Sequence, residues 1–177
     1  TASGDRNKDV RMAVCSALGE IGDSRAVQAL VRRLTDESAD VRYHAIDALG
    51  EFADELTASQ TPSVHRLLLE VGGQLDEAAR IRAKAAELLG EIGDRASIPA
   101  LQRMLADPSP EVRTNALESL NELKAVLSER DVSTLLRDLS PDVRSAALEY
   151  VQEHPDAATV AQLRGMLEDV DEHVREH

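Results

Sequence analysis

Apolar and polar positions along the chain follow a helical period, and the pattern recurs in blocks. The phrase Asp9-Val10-Arg11 returns as Asp40-Val41-Arg42, Arg80-Ile81-Arg82, Glu111-Val112-Arg113, Asp142-Val143-Arg144 and His173-Val174-Arg175. Its β-branched residue stands at 10, 41, 81, 112, 143 and 174, in steps of 31, 40, 31, 31 and 31. A fixed period of this length, broken by one insertion, marks a repeat array. Counted from that residue, apolar side chains recur at +4 (Val14, Ala45, Ala85, Ala116, Ala147) and +8 (Leu18, Leu49, Leu89, Leu120, Val151). They recur again at +11 (Ile21, Phe52, Ile92, Leu123), with His154 in the last full unit. This spacing draws one apolar stripe down a helix, which needs a neighbour to cover it.

Each unit is expected to be a hairpin of two helices, the first like residues 24–36 and the second like 40–52. Second helices are expected near residues 8–21, 39–52, 79–92, 110–123 and 141–153, with a partial repeat at the C-terminus. Gly22-Asp23 and Gly93-Asp94 punctuate helix ends, and Pro108, Pro110, Pro141 and Pro155 mark turns or first helical positions. The insertion falls within 53–74, where a longer loop or helix is expected and Gly72-Gly73 interrupts its end. Residues 1–177 therefore read as one solenoid of about five repeats.

Solenoid ends normally carry polar caps, and neither end of this chain shows one. The expectation is a piece of a longer array, or a chain that associates end to end through its uncapped repeats. A short natural protein is the rival.

The 31-residue unit, with its "DVR", Ala-rich middle and the "LGEIGD" of residues 18–23 and 89–94, resembles the short HEAT-like repeat also found in phycobilisome bilin lyases. The resemblance covers nearly the whole chain. It implies an all-α, right-handed α-solenoid, a superhelix of antiparallel two-helix repeats. In such a fold the second helices line the concave face and the first helices the convex one. Repeats of this type resemble one another whatever they bind, so the resemblance speaks to architecture more than to function.

Composition narrows the function classes. With 20 Lys plus Arg against 33 Asp plus Glu, the net charge is −13, which argues against binding driven by phosphate neutralisation and hence against nucleic acid. Phe52, Tyr43 and Tyr150 are the three aromatic residues, too few to wall a stacking pocket for a planar cofactor. No cofactor is expected. No segment approaches the ~18 apolar residues of a membrane span. One cysteine, Cys15, allows no internal disulfide, and the chain is expected in the cytoplasm.

Two sets of columns are candidates for function. Arg11, Arg42, Arg82, Arg113, Arg144 and Arg175 follow the anchor in all six units. They read as a structural ladder, bridging to neighbouring first-turn acids such as Asp9, Asp40, Glu111 and Asp142, in preference to a grip on phosphate or carboxylate. Arg80 replaces the acid in the irregular unit, where the ladder is expected to break or re-pair.

The second set lies at +6 (Ser16, Asp47, Glu87, Glu118, Glu149) and +10 (Glu20, Glu51, Glu91, Glu122, Glu153), nine of ten acidic. Like charges at i and i+4 cost a helix a few tenths of a kcal/mol, so stability alone does not favour the repetition. On the concave face these carboxylates would form a negative trough that draws in a basic peptide or protein. A solvated, solubility-giving face is the competing account. At +3 the same groove varies through His44, Lys84 and Asn115, and at +2 it carries Tyr43, the best single anchor candidate.

Catalytic constellations are poor. HEAT-type repeats also build deoxyhypusine hydroxylases, which bind iron through His-Glu pairs, and this sequence contains no His-Glu dipeptide. His173 and His177 have metal-ligand spacing without a third ligand, His154 reads as a helix-end residue, and Cys15 as a packed thiol. The expected function is a non-catalytic protein-interaction scaffold that binds a basic segment. The alternative is an accessory repeat module of an enzyme, either bilin lyase-like or fused to a catalytic domain.

Overall fold

The computed structural model describes residues 7–56, 61–72, 78–157 and 163–164. Among these residues the chain is helical throughout, in nine α-helices. They are α1 (Lys8–Ile21), α2 (Val27–Arg33), α3 (Ala39–Gly50), α4 (Thr61–Gly72), α5 (Ala79–Glu91), α6 (Ile98–Met104), α7 (Pro110–Glu122), α8 (Glu129–Leu135) and α9 (Pro141–Glu153). The odd-numbered helices carry the repeated stripe and pack on one another in series, α1 on α3, α3 on α5, α5 on α7 and α7 on α9. Each of α2, α4, α6 and α8 lies against the odd-numbered helix that follows it. The result is an α-solenoid of antiparallel helix pairs. The C-terminal partial repeat, with His173, Arg175 and His177, lies outside the described residues, as does the Gly73 side of the Gly72-Gly73 pair.

The stripe explains the stacking. Ala45, Ala85, Ala116 and Ala147 at +4 and Leu49, Leu89, Leu120 and Val151 at +8 are all buried. Alanine at +4 keeps neighbouring axes close, and the larger residue at +8 fills the space this leaves. At +11 the stripe is uneven. Phe52 is 1% exposed, whereas Ile21 is 70% exposed, because α1 packs on α3 and no first helix precedes it among the described residues. His154 takes the position in the last unit as a helix cap, stacked on Tyr150 at 4.2 Å.

Local chemistry sets the boundaries. Asn7 accepts from the Asp9 N–H at 2.8 Å to start α1, and Pro110 and Pro141 open α7 and α9, where a missing N–H costs nothing. Gly22 and Gly93 close α1 and α5 in the left-handed region at φ 65° and 74°, and the same place in the next unit is held by Lys124 at φ 49°. In the insertion, a 3₁₀ turn (Ala53–Glu55) precedes α4. At 12 residues α4 outruns the seven-residue α2, α6 and α8, and Val64, Leu68 and Val71 seat it in the core.

Candidate functional site

Each acidic column becomes a row across the packed odd-numbered helices. Asp47, Glu51, Glu91, Glu118, Glu122, Glu149 and Glu153 are exposed, and Glu87 is half-buried. A cleft of about 410 Å3 between α5 and α7 is lined by Glu87, Glu91, Asn115, Glu118, Ser119 and Glu122. Four of its six lining residues are carboxylates.

Small residues let these acids come so close. Gly90 faces α7, and a Cβ there would stand 2.6 Å from Ser119 Oγ and 2.7 Å from Glu122 Oε2. Ser119 Oγ donates to the Ala86 carbonyl at 2.9 Å, and Asn115 Nδ2 donates to the Ala83 carbonyl at 3.2 Å. Two hydrogen bonds to the α5 backbone therefore hold α7 against α5, and the Glu122 carboxylate lies over the glycine.

The close approach has an electrostatic consequence. Partial burial pushes the Glu118 carboxyl above the usual range, and the negative charges of Glu149, Glu122 and Glu87 push it further. Burial likewise raises Glu91, with Glu87, Glu122 and Glu51 adding to it against the opposing charge of Lys84. Carboxylates of α3, α5, α7 and α9 thus feel one another as one field.

The variable columns are less free than their sequence positions imply. Lys84 is 20% exposed and bridges Asp47 Oδ1 of α3 at 3.2 Å and Glu87 Oε1 of its own helix at 2.9 Å. Burial works against its charge, but the bonds to Glu87 and Asp47 outweigh it and the ammonium is held more firmly than usual. His44 Nδ1 lies 3.3 Å from Ser16 Oγ, and its ring meets Tyr43 edge-on at 5.7 Å. Tyr43 is half-buried with the Arg80 guanidinium 5.2 Å above its ring. The loop-facing acid Glu153 pairs with Lys124.

The arginine column leads to different partners from those expected. Arg11 donates to Asp36 through Nε and a terminal nitrogen at 2.9 and 2.7 Å. Arg82 holds Asp107 in the same way at 2.8 and 2.7 Å, and Arg113 holds Asp138 at 2.8 and 2.6 Å. These acids stand three residues past the first helix of the following unit and are not the first-turn acids Asp9, Asp40, Glu111 and Asp142. A planar fork that spans two carboxylate oxygens explains the choice, because the buried end of the next hairpin offers both oxygens at once. Each aspartate also turns the chain, its Oδ1 accepting from the N–H of Ser38, Ser109 or Ser140. The carbonyls of Asp36, Asp107 and Asp138 accept from Arg42, Arg113 and Arg144 of their own units. Arg80 re-pairs with Asp40, which also binds Lys8, while the neighbouring Arg82 keeps its place in the ladder.

The signal for these partners was present in the sequence. Five residues before each anchor stand Asp5, Asp36, Asp76, Asp107, Asp138 and Asp169, an unbroken column. These aspartates stand farther from the anchor than the first-turn acids, outside the second helix that carries the arginine.

Among the described residues no group of three or more His, Cys, Asp or Glu is arranged to hold a metal ion. Iron held through His-Glu pairs does not fit them. Cys15 is 1% exposed, and burial first, with the Asp36 charge, pushes its thiol up to about 11 against the pull of Arg33 and Arg11. No helix is long and apolar enough to cross a membrane among the described residues.

A family model described as HEAT repeats matches residues 1–71 and 66–139. The deoxyhypusine hydroxylase of Schizosaccharomyces pombe is 27% identical over 88 residues, 50% of this chain and 26% of that protein. Deoxyhypusine hydroxylase-B of Oryza sativa subsp. japonica is 31% identical over 100 residues, 56% of this chain and 31% of that protein. The chain thus spans less than a third of these curated relatives. The complex of CpcE and CpcF of phycocyanin lyase from Nostoc sp. superposes with a TM-score of 0.70 at 21% identity, over 98% of this chain and 70% of that one. A designed armadillo repeat protein in complex with the peptide (KR)4 superposes with a TM-score of 0.60 at 18% identity, over 98% and 92%. These two likenesses concern the fold.

Proposed function

We propose that this chain, which belongs to the HEAT-repeat family, is a non-catalytic interaction scaffold that binds a basic peptide or protein segment along the acidic rows of its odd-numbered helices. The observation that carries this reading is the cleft between α5 and α7, where Glu87, Glu91, Glu118 and Glu122 converge and the Glu91 and Glu118 carboxyls are raised by burial first and then by the charges of neighbouring carboxylates. Crowded carboxylates lose repulsion when a cation arrives, so the free energy stored in the face becomes affinity for a positive partner. The designed armadillo protein solved with (KR)4 is a precedent for a helical solenoid holding a peptide of that charge. Asp47, Glu51, Glu149 and Glu153 extend the face on either side, and Tyr43 and His44 flank its α3 end. The arginine ladder from Arg11 to Arg144 is assigned to holding repeats together. With a single buried cysteine, the cytoplasm is the compartment proposed.

The test is fluorescence anisotropy with a labelled octapeptide of alternating Lys and Arg. Wild type is expected to bind it, more weakly as salt rises. The variant with Glu87, Glu91, Glu118 and Glu122 all changed to Gln is expected to lose about tenfold or more in affinity at equal helicity. Affinity that ignores both salt and these four charges would overturn the reading.

A second reading rests on the match to two deoxyhypusine hydroxylases: an accessory repeat module of an enzyme. Co-purification of the chain with an enzyme subunit whose activity depends on it would favour this reading over the scaffold.

A further inference from the structure

Because the unit repeats, each junction between odd-numbered helices can be compared with the next. On α3, Asp40, Tyr43 and Asp47 stand at i, i+3 and i+7, and on α5, Arg80 and Lys84 stand at i and i+4, so each set lies along one side of its helix. The two sets meet. Arg80 pairs with Asp40 and lies 5.2 Å over the Tyr43 ring, and Lys84 pairs with Asp47 Oδ1 at 3.2 Å while also holding Glu87 of its own helix. Two cations of one helix therefore face two carboxylates of the other, with an aromatic ring between them. The equivalent positions at the other junctions carry different chemistry. Between α1 and α3 they bring Ser16 to His44, with Lys8 reaching Asp40 from outside the stripe. Between α5 and α7 they are Ala83 and Glu87 against Glu111 and Asn115, whose amide donates to the Ala83 carbonyl. Between α7 and α9 they are Thr114 and Glu118 against Asp142 and Ala146.

We propose that Arg80, Lys84, Asp40, Asp47 and Tyr43 form an electrostatic strap across the α3/α5 junction, and that screening or neutralising its charges releases it and lets α1–α3 swing relative to α5–α9. Two observations single this junction out. It is where the 31-residue step lengthens to 40, so the connection from α3 to α5 restrains α5 least and leaves its seating to contacts between the helices. The strap is also open to water. The Arg80 and Asp47 side chains are 50% and 52% exposed, whereas those of the ladder pairs Arg11 with Asp36 and Arg82 with Asp107 are at most 5% exposed. Salt screens exposed pairs strongly and buried ones far less, so rising ionic strength weakens the strap and spares those rungs. Ala45 and Leu49 of α3 and Ala85 and Leu89 of α5 stay buried as the seam about which the two parts turn. Asp47 and Glu87 belong to the acidic rows, so release alters the spacing of those rows at their α3 end. The strap does not depend on what the acidic face binds.

The test is a distance measured by double electron–electron resonance. Spin labels at Gln28→Cys in α2 and Gln102→Cys in α6, both exposed, read across the junction, and labels at Gln102→Cys and Arg130→Cys read within the C-terminal part as a control. Cys15 is enclosed and stays unlabelled in the folded chain. Raising salt from about 0.01 to about 1 M shortens the screening length from ~30 to ~3 Å. Over that range the first distance is expected to shift and broaden, and the control to stay fixed. Arg80→Gln with Lys84→Gln is expected to show at low salt the distribution that the parent shows at high salt, at equal helicity by circular dichroism. Lys84→Asp is expected to do the same, and adding Asp47→Lys to restore the parent distance, because the pair re-forms with its signs exchanged. A first distance that ignores salt overturns the proposal. So does a double-Gln variant that keeps the parent distance at low salt or still moves with salt as the parent does. If the control shifts as far as the first pair, the whole solenoid loosens and the strap falls. It falls too if Asp47→Lys fails to restore Lys84→Asp, since the loss then belongs to the substitution and not to the pair.

Discussion

At the scale of single residues, the pair Arg82 and Asp107 shows how this chain keeps charge inside. Their side chains are 5% and 2% exposed, and ions so placed are stable only when their hydrogen-bonding groups are met. Burial pushes the Asp107 carboxyl up, but the bonds from Arg82 and the Ser109 N–H, with the charges of Arg82 and Arg113, outweigh it and leave it below the usual range. Asp107→Asn is expected to cost about 3–5 kcal/mol in urea denaturation, because it strands the Arg82 guanidinium. Cys15 offers a second residue-scale test. With its thiol raised and enclosed, it is expected to resist an alkylating reagent at pH 8 and to react at once when urea is added, so labelling reports opening of α1 from α3.

At the scale of elements, contact between α5 and α7 depends on a glycine. Gly90→Ala puts a methyl group against Ser119 Cβ and Oγ and the Glu122 carboxylate, so the helices must part. The expected loss is about 1–3 kcal/mol by thermal unfolding. Gly93→Ala makes a contrast, since nothing lies within 4 Å of the added atom and the penalty comes only from φ 74°. About 1 kcal/mol is expected there, with the α5–α7 packing unchanged. If the two variants lose equally, the tight approach at Gly90 is not what fixes the spacing. Tyr150 serves the last hairpin differently, its buried hydroxyl donating to the Ala125 carbonyl and accepting from the Leu127 N–H, each at 2.9 Å.

At the scale of the molecule, two charge systems act in opposite directions with pH. Asp36 and Asp107 titrate below the ordinary range when folded, so their contribution is full above the unfolded pKa and is lost as pH falls through the folded one. Glu91 and Glu118 titrate above it, so the folded state holds their protons more tightly and is destabilised as pH rises past the unfolded value. Stability measured by denaturant is therefore expected to rise as pH falls toward the ordinary glutamate value of about 4.3, then to fall as pH drops below the ordinary aspartate value of about 3.9. The four-Gln variant is expected to lose the upper slope and keep the lower one. A wild-type profile with no rise at all as pH falls toward the ordinary glutamate value would mean that the acidic rows carry no net repulsion.

What the sequence determined by itself is the architecture, because a helical stripe repeated in register can be buried only by its own neighbours. The Val10-to-Val174 spacing, the alanines at +4 and the leucines at +8 are local facts that leave the all-α solenoid as the solution. The sequence also placed Glu87, Glu91, Glu118 and Glu122 on one side of their helices, since a 3.6-residue period fixes direction around an axis. Tertiary structure decided what those side chains meet. That Arg11, Arg82 and Arg113 reach the aspartate 25 residues ahead, and that Lys84 sits between carboxylates of two repeats, depends on how one hairpin lies over the next. Ion pairs between elements follow from axis spacing and helix rotation, which no single helix carries in its own period.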